Sequence, residues 1–148
     1  MEGSLPSFPM STRFTLTQGN DPRSTLVVDV CDRIDDQAIA RLRQFMFTYG
    51  CSTGLLFDAT TCILYRDTFS DLSEGSIEEE SRIPTAALLE TLGTGNAGPL
   101  DQRVRRWLEL LGASWSTAVP ANPAEAQDLL YDVVPAATGA SIHQWVAG

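Results

Sequence analysis

The chain has 148 residues, 43% of them hydrophobic, and a formal net charge of −9 from 19 acidic and 10 basic side chains. That length fits one domain with a core of its own, and no apolar run approaches the roughly 20 residues that span a bilayer. The acidic balance argues against a general nucleic-acid binder, whose footprint is a basic surface; and because all 10 basic residues are arginine, no lysine can serve as Schiff base, general base or metal-site partner.

The N-terminal stretch MEGSLPSFPM has no basic region ahead of an apolar run, so no signal peptide is read and the cytoplasm is the default location. Residues 1–11 read as a loose tail. Arg13 to Thr17 alternates, with Phe14 and Leu16 on one face, as a half-buried strand does. Gln18 to Ser24 is turn chemistry, built on Gly19, Asn20 and Pro22. Thr25 to Cys31 follows as a second strand, antiparallel to the first. Leu26, Val28 and Val30 share one face, Val27, Asp29 and Cys31 the other; with both faces largely apolar, this strand is expected at the centre of a sheet covered on both sides.

Asp35 is a natural N-cap for a helix to Tyr49, with Gly50 as its stop. Ala38, Ile39, Leu42, Phe45, Met46 and Tyr49 form its apolar stripe, expected to pack on the strands around Val28, Leu56 and Leu64. Phe47 lies nearly opposite that stripe, so a second covering surface is expected there, either the C-terminal helical tail or another chain. Thr53 to Phe57 and Thr61 to Arg66 read as two strands joined by a tight turn at Asp58-Ala59-Thr60. From Asp67 to Glu80 there are six acids and no base. This reads as a solvated loop leading into an edge strand near Ser76 to Ile83, whose charges would discourage edge-to-edge pairing.

Thr85 to Leu92 reads as a short helix and residues 93–99 as a glycine-rich linker. The α/β core is therefore placed at 12–92 and a helical tail at 100–148, within one domain. Leu100 to Ala118 carries a stripe of Leu100, Val104, Trp107, Leu108, Leu111 and Trp115. Asn122-Pro123-Ala124-Glu125 is a helix start, with that helix running to about Tyr131. Ser141 to Val146 reads as a last short strand. The fold class is thus α/β, with a mixed, mainly antiparallel sheet, one packed central helix and a C-terminal helical tail.

The chemistry-bearing residues are few. Cys31, Cys51 and Cys62 are odd in number and lack metal-ligand spacing, which favours buried free thiols in a reducing compartment. His143 is the only histidine; pairing with a cysteine as nucleophile and base needs only proximity in space, but no local signature supports it. Arg33, Arg41 and Arg43, and separately Arg103, Arg105 and Arg106, carry the guanidinium that suits phosphate, although a solvated face is the simpler reading of both groups. Residues 93–98 do not match a phosphate loop, lacking lysine and a preceding apolar strand.

An antiparallel hairpin, a helix after its second strand and a further strand pair, with YGCSTGLLFDATTCILY spanning Tyr49 to Tyr65, resembles the core of the PD-(D/E)xK, restriction-endonuclease-like superfamily over about residues 13–67. In that family the strand before the helix carries an acid-x-lysine motif: the acid and an upstream aspartate bind metal, and the lysine orients the attacking water. The matching positions are Asp29, Val30 and Cys31, so the acid is kept and the lysine is replaced. Asp21-Pro22 inverts the family's proline-aspartate order and inherits no role, and the family's first helix has no counterpart ahead of Arg13. The resemblance therefore implies a catalytically degraded member, a non-catalytic binding or regulatory module with no cofactor, whose partner is a protein or a second copy of itself. Phe47, Arg103, Arg106, Trp107 and Trp115 are candidates for its interaction surface. Two alternatives stay open: a divergent nuclease using Asp29 and magnesium, and an acidic decoy that presents carboxylates as nucleic acid presents phosphates.

Overall fold

In a computed structural model of the chain, residues 11–18, 24–68, 73–113, 129 and 133–147 are described. Six strands form one mixed sheet: β1 (Ser11–Thr17), β2 (Ser24–Val30), β3 (Thr53–Phe57), β4 (Thr61–Asp67), β5 (Ile77–Pro84) and β6 (Ser141–Ala147), in the order β5-β4-β3-β2-β1-β6. β2 and β3 run parallel, and every other neighbouring pair is antiparallel. The parallel pair is joined through α1 (Asp36–Tyr49), as parallel strands require a crossover. α2 (Thr85–Leu89) continues into a 3-10 segment at Glu90–Gly95, and α3 (Leu100–Ala113) follows. No helix among the described residues is long and apolar enough to cross a membrane.

The local signals explain α1 closely. The Asp35 carboxylate accepts the Ala38 backbone N–H at 2.8 Å, satisfying one of the orphan donors of the first turn. Gly50 closes the helix in the left-handed region at φ 70°, its N–H returning to the Met46 carbonyl. α3 covers the stretch Leu100–Ala113 of its predicted span, and residues 114–118 lie outside the described ones, Trp115 among them. Residues 1–10, the turn around Asp21 and most of the helix expected at 122–131 also lie outside them.

Two apolar cores lie on opposite faces of the sheet. On one, Val27, Leu56, Ile63, Tyr65 and Ile77 meet Ala38, Leu42 and Met46 of α1, with Cys31 and Cys51 at the margin. On the other, Phe14, Leu26, Val28, Leu55, Phe57 and Leu64 meet Val104, Trp107, Leu108 and Leu111 of α3, together with Leu129 and the helical turn at 133–137. The expected partners of α1 need correcting: Leu56 is right, but Val28 and Leu64 point to the α3 face, and Val27 and Ile63 take their places. Tyr49, at the end of the stripe, is 61% exposed. α1 sits so close to β3 that a Cβ at Gly54 would lie 2.6 Å from the Met46 sulfur.

The C-terminal part returns to the sheet rather than standing beside it, because β6 pairs with β1 along its whole length. Trp107 is fully buried, its ring edge-on to Phe57 at a centroid distance of 5.7 Å. Among the described residues its indole N–H has no hydrogen-bond partner, a desolvation cost that the packing of the ring offsets. Leu42 is fully buried between α1 and the sheet. Truncation of Leu42 to alanine is expected to cost about 2–5 kcal/mol in chemical denaturation, as core cavities do; a loss below about 1 kcal/mol would contradict this packing.

Candidate functional site

The position to test first is Asp29, the acid that the sequence resemblance singled out. It sits in the middle of the sheet on the α1 face, 6% exposed. In the β1–β2 ladder its Cα partner is Arg13. The Arg13 guanidinium donates from Nε to Oδ1 at 2.6 Å and from Nη2 to Oδ2 at 2.8 Å, so both carboxylate oxygens are engaged by one planar fork. The same guanidinium lies 4.2 Å from the centroid of the Phe45 ring, and Phe45 packs on Tyr49 at 4.5 Å. A line of contacts therefore runs from β2 through β1 to the last turns of α1, and Asp29 is its anchor.

Cys31 lies just past the end of β2. Its N–H and its thiol both donate to the Phe57 carbonyl, at 2.9 and 3.5 Å. Burial, and then the carboxylates of Asp58, Asp29 and Asp35, push this thiol up to about 12, against a smaller opposing pull from Arg41. At neutral pH it carries no charge, so it neither substitutes for an ammonium nor acts as a thiolate nucleophile. Cys62 is likewise pushed up, chiefly by complete burial and then by Asp58. All three cysteines are buried free thiols, as their sequence context predicts.

Asp58, in the β3–β4 turn, is the acid that sequence reading passed over as a connector. Its Oδ1 accepts the Thr60 and Thr61 backbone N–H groups at 2.8 and 2.7 Å and the Thr60 hydroxyl at 3.0 Å, while Oδ2 accepts the Ile34 N–H at 3.2 Å. Burial alone would raise this carboxyl, but the backbone donors outweigh it and hold it below the ordinary aspartate value. Its work is to close the turn and tie it to the entry of α1. Among the described residues, no three His, Cys, Asp or Glu side chains are placed to share a metal ion.

The arginine groups divide. Arg33, ahead of α1, and Arg41 on it are exposed, and Arg43 is half-buried. Arg103 donates from Nε to the Gly98 carbonyl at 3.0 Å, and Arg106 from one Nη1 to the Gly95 and Ala97 carbonyls at 2.9 and 2.6 Å. Both thus bind the carbonyls of the glycine-rich segment before α3, which has no ladder to satisfy them. Arg105 reaches Gln144 of β6 at 2.7 Å. In the acidic segment, Glu79 pairs with Arg82 at 2.8 Å and Glu80 with Arg66 at 2.9 Å, so those two β5 acids meet arginine rather than a bare solvent face.

The surface candidates also need correction. Trp107 is a core residue and offers no surface. Phe47 is 45% exposed on α1 among the described residues, and α3 with Trp107 packs on the opposite face of the sheet, so α3 is not what covers it. The large exposed residue that sequence reading did not single out is Trp145, 60% exposed on β6, whose indole donates to the Thr15 hydroxyl at 3.1 Å. His143 is exposed on the same strand, 3.4 Å from the Thr17 hydroxyl and paired in register with Thr15, far from the candidate thiols in the ladder order.

No protein-family model matches the chain, no curated protein matches its sequence, and no solved structure matches its fold.

Two measurements check this site. Asp29→Ala is expected to cost about 1.5–3 kcal/mol of stability, because it leaves a guanidinium without its carboxylate; the companion variant Arg13→Met, combined with Asp29→Leu, should recover much of that loss. A cost near zero for Asp29→Ala would contradict a structural pair. A thiol reagent at about pH 8 should label none of Cys31, Cys51 and Cys62 in the native state and all of them after denaturation; rapid native labelling of Cys31 would show a reactive thiol.

Proposed function

We propose that the chain is a non-catalytic binding module, a nuclease-like scaffold from which the acid-x-lysine chemistry has been lost and whose partner is a protein. The observation that carries this reading is the bidentate engagement of Asp29 by Arg13. A metal ligand must direct a lone pair at the cation, and both oxygens of this carboxylate are turned toward a guanidinium. Phosphodiester hydrolysis also needs an activated water and positive charge on the phosphorus oxygens. At the position where the family carries lysine, this chain has a neutral buried thiol. The strand–helix–strand crossover of β2, α1 and β3, flanked by helices on both faces of a mixed sheet, is in keeping with the nuclease-like scaffold. The exposed aromatic side chains of Phe47, Tyr49 and Trp145 suit a protein surface.

The test is incubation of the purified protein with single- and double-stranded DNA and RNA, with magnesium or manganese at low salt. The expected outcome is no cleavage above that of a mock preparation. Cleavage that disappears in Asp29→Asn would overturn the reading and establish a divergent nuclease.

A further inference from the structure

The two edges of the sheet are built differently. β5, at one end, reads IEEESRIP: Glu78, Glu79, Glu80, Arg82 and Pro84 are all exposed along it. Charges and proline on an edge strand block the addition of another strand. β6, at the other end, reads SIHQWVA and carries neither a formally charged residue nor a proline. Its inner side is paired with β1 from Ser141 to Ala147, and among the described residues no strand pairs with its outer side. Ser141, His143, Gln144 and Trp145 are exposed and Ile142 is half-buried. A seven-residue, uncharged edge is a template for strand addition, and proteins protect such edges unless they use them.

We propose that β6 is a dimerisation edge, at which two copies of the chain join their sheets by antiparallel β6–β6 pairing about a two-fold axis at Gln144. The order of residues along the strand favours a second copy as the occupant. With Gln144 opposite Gln144, Ile142 falls opposite Val146 and His143 opposite Trp145. Apolar meets apolar, an imidazole meets an indole, and no charge meets a like charge. The two-fold axis makes the contact isologous, and the charged β5 edge prevents the sheet from growing at its far ends, so the assembly closes at two chains. Arg105 of α3 donates to the Gln144 side chain at 2.7 Å and is paired at 3.6 Å with Glu109 of its own chain, which partly balances its charge beside the axis. Trp145 is held by its bond to Thr15, so its ring is pre-set rather than ordered on contact. This inference deepens the binding-module reading by naming the partner, but it stands on the edge alone.

The test is the mass of the purified full chain in solution by light scattering, from micromolar to sub-millimolar concentration. The expected mass is that of two chains, falling to one chain in His143→Lys, which places a charge on the edge at an exposed position. Circular dichroism establishes that this variant is folded. A second arm adds no charge to the edge: the native thiols are buried, so Gln144→Cys presents one exposed thiol at the axis. Antiparallel neighbours stand about 4.5–5.5 Å apart between Cα atoms, within disulfide reach. Mild oxidation should therefore cross-link Gln144→Cys into a covalent dimer in preference to Ile142→Cys. A single-chain mass at every concentration, a dimer unaffected by His143→Lys, or equal cross-linking at both cysteine positions would each overturn the proposal. Nuclease activity in a dimeric protein would defeat the non-catalytic reading and leave this one standing. A monomer without nuclease activity would do the reverse.

Discussion

The constraint on which the structure depends is the burial of β2, β3 and β4 on both faces. Val27, Leu56 and Ile63 lie under α1 while Val28, Leu55 and Leu64 lie under α3, so neighbouring residues of one strand belong to different cores. Neither helix could leave without exposing half the apolar surface of the central strands. At about 25 cal/mol per Å² of apolar area, that burial outweighs any single polar contact described here. It also dictates where polar groups can be tolerated. Asp29 lies inside this doubly covered region, and a carboxylate there needs a partner. Arg13 supplies it from the adjacent strand.

That placement connects the fold to the functional reading. A carboxylate that bound a metal ion would present free lone pairs to the cation. Asp29 is instead turned to a guanidinium that also rests on Phe45, so the group joins the hairpin to the last turns of α1. The next polar position, Cys31, is spent on the Phe57 carbonyl, and Asp58 on closing the β3–β4 turn. Asp29, Cys31 and Asp58 are each engaged in holding elements together. Among the described residues, the large apolar side chains left exposed are Phe47 and Tyr49 on α1 and Trp145 on β6.

Much of the fold was legible in the sequence because its elements are punctuated by residues with one clear mechanical role. Asp35 and Gly50 bound α1, and Asp58 marks the turn between β3 and β4. The alternation of β1 and the double-sided apolar pattern of β2 placed the central strands. What could not be read was the choice of face. Val27 and Val28, or Ile63 and Leu64, are equally apolar, and periodicity alone does not say which of them meets α1. The Arg13–Asp29 pair was readable in principle: matching Phe14 and Leu16 of β1 to Val28 and Leu26 of β2 forces Arg13 opposite Asp29. The roles of Arg103 and Arg106 were hidden for another reason. The carbonyls they satisfy belong to an irregular segment whose path no residue pattern specifies.

The central claim is that Asp29 is a structural anchor and not a metal ligand. Titration of the protein with manganese, followed by the paramagnetic resonance signal of the free ion, tests it directly. The account predicts the same free-manganese curve for the native chain and for Asp29→Asn, because the carboxylate already belongs to Arg13. Tight binding by the native chain that Asp29→Asn abolishes would contradict it.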